Sequence, residues 1–86
     1  MDARLNLYPN PMNGKAQLEI ILVEKTNMTI ELFDMQGNLV QTLFQGNLNT
    51  GKTTIEVNAK ELAPGVYFTK ATSVYGVNVI RTIVSE

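Results

Sequence analysis

Apolar and polar residues alternate along most of this chain. In Ala16-Gln17-Leu18-Glu19-Ile20-Ile21-Leu22, the apolar Ala16, Leu18, Ile20 and Leu22 share one parity, opposite Gln17 and Glu19. Met28, Ile30 and Leu32 alternate with Thr29 and Glu31, and Thr53, Ile55 and Val57 with Thr54 and Glu56. A period of two puts successive side chains on opposite faces of a strand, so each run predicts a strand with one buried face. Arg4–Tyr8, Leu39–Phe44, Val66–Thr72 and Val77–Val84 add further runs rich in Val, Ile, Thr, Tyr and Phe, the residues that suit a pleated surface. Seven short strands at this spacing predict an antiparallel β-sandwich.

Turn signals separate the runs. Pro9 and Pro11 of Tyr8-Pro9-Asn10-Pro11 lack an N–H and are expected to end the first strand. Asn13-Gly14 predicts a tight turn. Asp34-Met35-Gln36-Gly37 predicts a type I turn with Gly37 in the left-handed region, closing a hairpin. Gly46, Asn49 and Gly51 are expected to break the next connection, and Tyr75-Gly76 the last. The single helical candidate is Asn58–Leu62, with Asn58 as cap and Glu61 completing a capping box before Pro64 and Gly65 stop it.

Composition narrows the chemistry. Eighty-six residues predict one domain, 1–86, with Met1 read as a start placed ahead of a segment of a longer parent. The net charge is −1, and the seven basic and eight acidic residues are scattered singly. No basic stripe for nucleic acid follows from that distribution. The first residues carry no apolar segment of signal-peptide type. Cysteine and histidine are absent, which removes disulfides, thiolate and imidazole metal sites, and the Ser-His-Asp and Cys-His catalytic arrangements. The carboxylates form no calcium-loop pattern and are expected to be solvated surface groups. No catalytic residue, metal ligand or cofactor is assigned.

One stretch matches a catalytic motif by its letters. Gly46-Asn47-Leu48-Asn49-Thr50-Gly51-Lys52-Thr53 fits G-x-x-x-x-G-K-[ST]. A phosphate-cradling loop needs a helix N-terminus directly after it, because helix N–H groups point at the anion. Here Thr53-Thr54-Ile55-Glu56-Val57 alternates with period two and is β-branched at all positions but Glu56. The expectation is a hairpin connection with an exposed Lys52, and no nucleotide.

Leu62-Ala63-Pro64-Gly65-Val66-Tyr67 resembles the tyrosine corner of Greek-key sandwiches, in which a tyrosine at a strand start sends its hydroxyl back to the backbone just upstream. Leu62 is then core and Tyr67 a satisfied phenol. The expected fold is an immunoglobulin-like antiparallel β-sandwich of about seven strands with Greek-key connections.

Taken in order, Leu7-Tyr8-Pro9-Asn10-Pro11, Asp34-x-x-Gly37-x-x-Val40, Gly51 before an alternating strand, and Leu62-x-x-Gly65-Val66-Tyr67-Phe68 resemble one family. It is the C-terminal sorting domain of the type IX secretion system, and the likeness runs from about Leu5 to Val84. Most of these positions also read as folding punctuation: the prolines as a strand end, Asp34 and Gly37 as a turn, Gly65 and Tyr67 as the corner. In the last strand, Arg81 shares parity with Val77, Val79 and Ile83. The family usually carries a basic residue, most often lysine, near this point, followed by apolar residues. The resemblance makes Arg81, Ile83 and Val84 candidates for recognition, against a reading of Arg81 as ordinary edge protection.

The resemblance implies a non-catalytic label at the end of a larger cargo protein of a Gram-negative bacterium. It implies passage through the periplasm, recognition by the outer-membrane translocon, and delivery to the cell surface or the medium. It also implies removal by a sortase-like protease. The alternative is an accessory sandwich of a secreted hydrolase, binding carbohydrate or spacing domains. Sugar platforms are usually built from exposed aromatics; the chain has no tryptophan, and of its three tyrosines only Tyr75 is expected to be free.

Overall fold

A computed structural model describes residues 3–85. Seven strands follow one another: β1 Ala3–Asn13, β2 Lys15–Leu22, β3 Thr26–Asp34, β4 Leu39–Leu48, β5 Gly51–Asn58, β6 Gly65–Ser73 and β7 Gly76–Val84. They form two antiparallel sheets, one ordered β1-β2-β5 and the other β4-β3-β6-β7. The β-sandwich expected from period-two patterning is therefore present. The chain crosses between sheets from β2 to β3, from β4 to β5 and from β5 to β6, which gives the Greek-key winding.

The alternating residues close the core between the two sheets. Ala16, Leu18, Ile20 and Leu22 of β2 face Met28, Ile30 and Leu32 of β3, all buried, with Leu7, Met12, Leu48, Val57, Ala71 and Val84 filling the rest. Two threonines share this interior. The Thr69 and Thr82 hydroxyls lie 2.8 Å apart, and Thr82 Oγ1 also donates to the Ile80 carbonyl at 3.3 Å. Pairing the two hydroxyls removes the penalty each would carry alone in an apolar core.

Three local expectations need correction. The Pro9/Pro11 segment does not end β1; extended backbone continues to Asn13, and the pairing with β2 is interrupted between Tyr8 and Asn13. Gly46 does not break a connection. It lies inside β4, opposite Met28, and the break falls at Asn49 and Thr50 instead. The helical turn over Asn58–Leu62 is absent. Asn58 Oδ1 accepts from the Lys60 N–H at 3.0 Å, and Leu62 N–H donates to the Ala59 carbonyl at 3.1 Å. Ala59 N–H is committed to the Gly14 carbonyl. That bond pins the segment to the β1–β2 turn, and the asparagine makes a local turn in place of a helix cap.

Candidate functional site

The strand ends and turns of this sandwich carry the residues singled out in the sequence. Tyr8-Pro9-Asn10-Pro11 is the place where β1 breaks its pairing with β2, which resumes only at Asn13 opposite Lys15, and swings toward β7. Up to Tyr8 the strand pairs with β2; from Met12 it runs parallel to β7, with Met12 opposite Val84. Both X–Pro bonds in the segment are cis. Neither proline has an N–H to offer β7. The Asn10 side chain supplies the bonds instead: its Nδ2 donates to the Arg81 carbonyl at 3.0 Å, and its Oδ1 accepts from the Ile83 N–H at 3.0 Å. A primary amide has an N–H donor lying beside its carbonyl acceptor, so Asn10 can serve both groups of β7 and acts as one rung of a ladder. Past it, Ser85 N–H donates to the Met12 carbonyl at 2.8 Å. The first and last strands are thereby tied together.

The Asp34–Gly37 turn forms as expected. Gly37 has φ of 87°, and its N–H donates to the Asp34 carbonyl at 3.1 Å. A residue with a Cβ is strained at that φ. Asp34 Oδ1 accepts from the Gln36 and Asn38 N–H groups, each at 2.9 Å, and Oδ2 from Asn38 Nδ2 at 3.3 Å. The Asn38 N–H, followed by these other donors, holds the Asp34 carboxyl below the ordinary carboxylate range.

At the tyrosine corner, the Tyr67 hydroxyl donates to the Ala63 carbonyl at 2.6 Å. Leu62 packs against the core from its edge, and Gly65 begins β6. The phosphate-loop letters fold otherwise. Lys52 through Val57 lie in β5 in unbroken register with β2, and Lys52 Nζ sits 3.4 Å from a Glu19 carboxylate oxygen. A strand occupies the place where a helix N-terminus would have to point its N–H groups, so the phosphate cradle does not form. Among the described residues, no group of three or more acidic, cysteine or histidine side chains is placed to hold a metal ion.

The candidate recognition residues separate. Arg81 is exposed on the outer face of the four-stranded sheet and Ile83 is half-buried beside it. Val84 is only 4% exposed and points into the core, where its side chain is out of reach of a partner. Sequence reasoning missed what surrounds Arg81. Phe33, Met35, Phe68 and Val79, with Asp34, Gly37 and Lys70, line a groove of about 330 Å³ on the same outer face. Phe68 lies opposite both Phe33 and Arg81, and Lys70 Nζ is 5.7 Å from the Phe33 ring centre, within cation–π range. The sequence carried part of the signal, since Phe33 falls on the polar parity of β3 with Thr29 and Glu31, whereas Phe68 shares its parity with Val66 and gives no such sign. The tyrosine expected to be free, Tyr75, is exposed in the β6–β7 turn, but Tyr8 is exposed to a similar extent.

Comparison with known proteins agrees with this geometry. The family model described as a secretion system C-terminal sorting domain matches residues 6–86. No curated protein matches the sequence significantly. Among solved structures, the crystal structure of dimeric latent PorU from Porphyromonas gingivalis matches with a TM-score of 0.77 at 20% identity. The match covers 95% of this chain and 9% of that one. At that identity the likeness is one of fold. With the family match spanning nearly its whole length, the chain belongs to the family of type IX secretion system C-terminal sorting domains.

Proposed function

We propose that this domain is a non-catalytic label at the C-terminal end of a larger cargo protein. The outer-membrane translocon of the type IX system reads it in the periplasm, while it is folded. The cargo then reaches the cell surface or the medium, and a sortase-like protease removes the label. The observation that carries this reading is the family match over residues 6–86. The family's ordered motif residues support it. Asn10 docks the first strand on the last, Asp34 and Gly37 close one hairpin, and Tyr67 locks the corner. These contacts make a rigid scaffold that can present a recognition surface, with Arg81 and Ile83 on its outer face. In such a scheme the chain is a substrate of the machinery, and its lack of histidine and cysteine is no handicap.

The test is to append residues 3–86 to a fluorescent reporter bearing an N-terminal signal peptide, in a host with a type IX system. The expected result is reporter at the cell surface or in the medium, with a mass lacking the domain. A reporter that stays periplasmic, with the appended domain folded, in both this host and the native organism contradicts the proposal and favours an accessory module. A reporter exported with the domain still attached contradicts only the processing step.

A further inference from the structure

The two sheets have four strand edges, β1, β5, β4 and β7, and they are not equally guarded. The free side of β1 before Met12 carries the exposed charge of Arg4. β4 is interrupted by register shifts between Ile30 and Glu31 and between Leu32 and Phe33 of its partner. On β5, the exposed Lys52 and Glu56 pair with Glu19 and Lys15 of β2, and Gln41 Nε2 donates to the Asn58 carbonyl. Bulges, edge charges and covering side chains are the usual means of blocking strand addition. β7 is closed at its C-terminal half by Asn10, Met12 and Ser85. In its N-terminal half Asn78 Nδ2 donates to the Ala3 carbonyl of β1 at 3.3 Å, a side-chain bond that leaves the backbone groups of the edge itself without a ladder partner. Among the described residues, no β1 residue before Met12 pairs with β7.

Strand geometry says which groups are open. The Arg81 carbonyl and the Ile83 N–H point away from β6, toward Asn10. Backbone groups alternate sides with period two in an antiparallel pair. Both groups of Val77, both of Val79 and the Arg81 N–H therefore face outward along the same edge. Their side chains are exposed on the outer face, Val77 at 52% and Val79 at 54%. The only charge on that face of β7 is Arg81, at the end of the open stretch.

We propose that the open edge of β7 from Val77 to Arg81 is the docking site of a translocon protein, which adds one short extended strand there. This rests on the sorting function proposed above. Backbone groups spaced for a ladder can exchange their water for the matching groups of an extended chain, and strand addition at an exposed edge is an established mode of recognition. The added strand spans about five residues at roughly 3.3 Å each. It is apolar or β-branched where it meets Val77 and Val79 and acidic where it meets Arg81. The Asn10 amide occupies the next rung and sets the register by stopping the strand.

The test uses the reporter fusion in the type IX host, with three variants. Val79→Pro removes an N–H from the open edge without removing a bond to β6. Thr54→Pro makes the same change on the β5 edge and serves as the control. Val77→Lys with Val79→Lys adds the edge charges that β7 lacks. Folding of each domain is checked by circular dichroism. The expected result is a folded Val79→Pro domain whose export falls at least about tenfold, as does that of the double lysine variant, while Thr54→Pro exports normally. Wild-type export from folded Val79→Pro overturns the inference, as does equal loss in Thr54→Pro. If Val79→Pro fails to fold, the double lysine variant decides: loss of export supports the edge, and wild-type export overturns it. Failure of the unaltered fusion to leave the periplasm overturns the sorting function and this inference with it.

Discussion

Replacing Asn10 with alanine removes the side chain that joins the proline segment of β1 to the Arg81 carbonyl and the Ile83 N–H of the last strand. Two bonds go, to the Arg81 carbonyl and from the Ile83 N–H, each 3.0 Å long. A neutral hydrogen bond contributes a net of about 0.5–1.5 kcal/mol. Both bonds lie at an exposed edge, so water re-forms part of each, and the combined loss is about 1–2 kcal/mol. For a domain of this size, 1 kcal/mol moves the melting temperature by about 4–8 °C, so Asn10→Ala is expected to melt roughly 5–15 °C lower. Asn10→Asp keeps an acceptor for Ile83 but turns a second oxygen toward the Arg81 carbonyl. It is expected to be no more stable than the alanine variant near neutral pH. The assay is thermal unfolding by circular dichroism, with amide hydrogen exchange read at Ile83. The Ile83 amide is expected to lose protection in Asn10→Ala. A variant that melts within about 2 °C of wild type with Ile83 still protected refutes the ladder role of this side chain.

Other consequences can be measured on the same isolated domain. Thr82→Val strands the buried Thr69 hydroxyl and is expected to cost about 1–3 kcal/mol, while Thr69→Val with Thr82→Val costs less than the single change; additive losses in denaturant unfolding speak against a coupled pair. Tyr67→Phe removes the 2.6 Å bond to Ala63 and is expected to cost about 1 kcal/mol, and an unchanged denaturation midpoint contradicts the corner. The Asp34 carboxyl is held below its ordinary range by the Asn38 N–H and its neighbours, so its stabilising effect is present above the unfolded pKa and is lost as pH falls through the lower folded value. The wild-type melting temperature should therefore drop more steeply on acidification below about pH 4 than that of Asp34→Ala, and parallel curves contradict this. Millimolar ATP with magnesium is expected to leave the melting temperature unchanged, because Lys52 is in a strand and no phosphate cradle exists; a rise that Lys52→Ala abolishes reinstates the nucleotide loop.

The sequence displayed the strands plainly, because burial on one face imposes period two and the turn residues between runs are chemically distinctive. Alternation in β2 and β3 names their core residues one by one. The Gly37 turn and the Tyr67 corner were legible for the same reason: each depends on local chemistry within a few residues. What stayed hidden was non-local. Asn10 meets its partners 71 and 73 residues away, and nothing in Tyr8-Pro9-Asn10-Pro11 shows that β1 breaks its pairing with β2 there and swings toward β7. Gly46 reads as a breaker, yet it sits within β4 because β3 pairs alongside it. Asn58 and Glu61 read as a helix cap, but the Ala59 bond to Gly14 diverts the segment. Val84 looked like a surface candidate beside Arg81. Parity along β7 sends it inward, whereas the aromatic groove beside Arg81 is assembled from β3, the β3–β4 turn, β6 and β7 together.

The central claim is that the folded sandwich itself is the sorting signal. The most direct measurement compares the surface fluorescence of one fusion, a signal peptide, a reporter and residues 3–86, in a translocon-competent strain and a translocon-deficient one. The account predicts reporter at the surface in the first and trapped in the periplasm in the second, with the domain folded in both. Equal surface display in the two strains, or periplasmic retention in both, contradicts it.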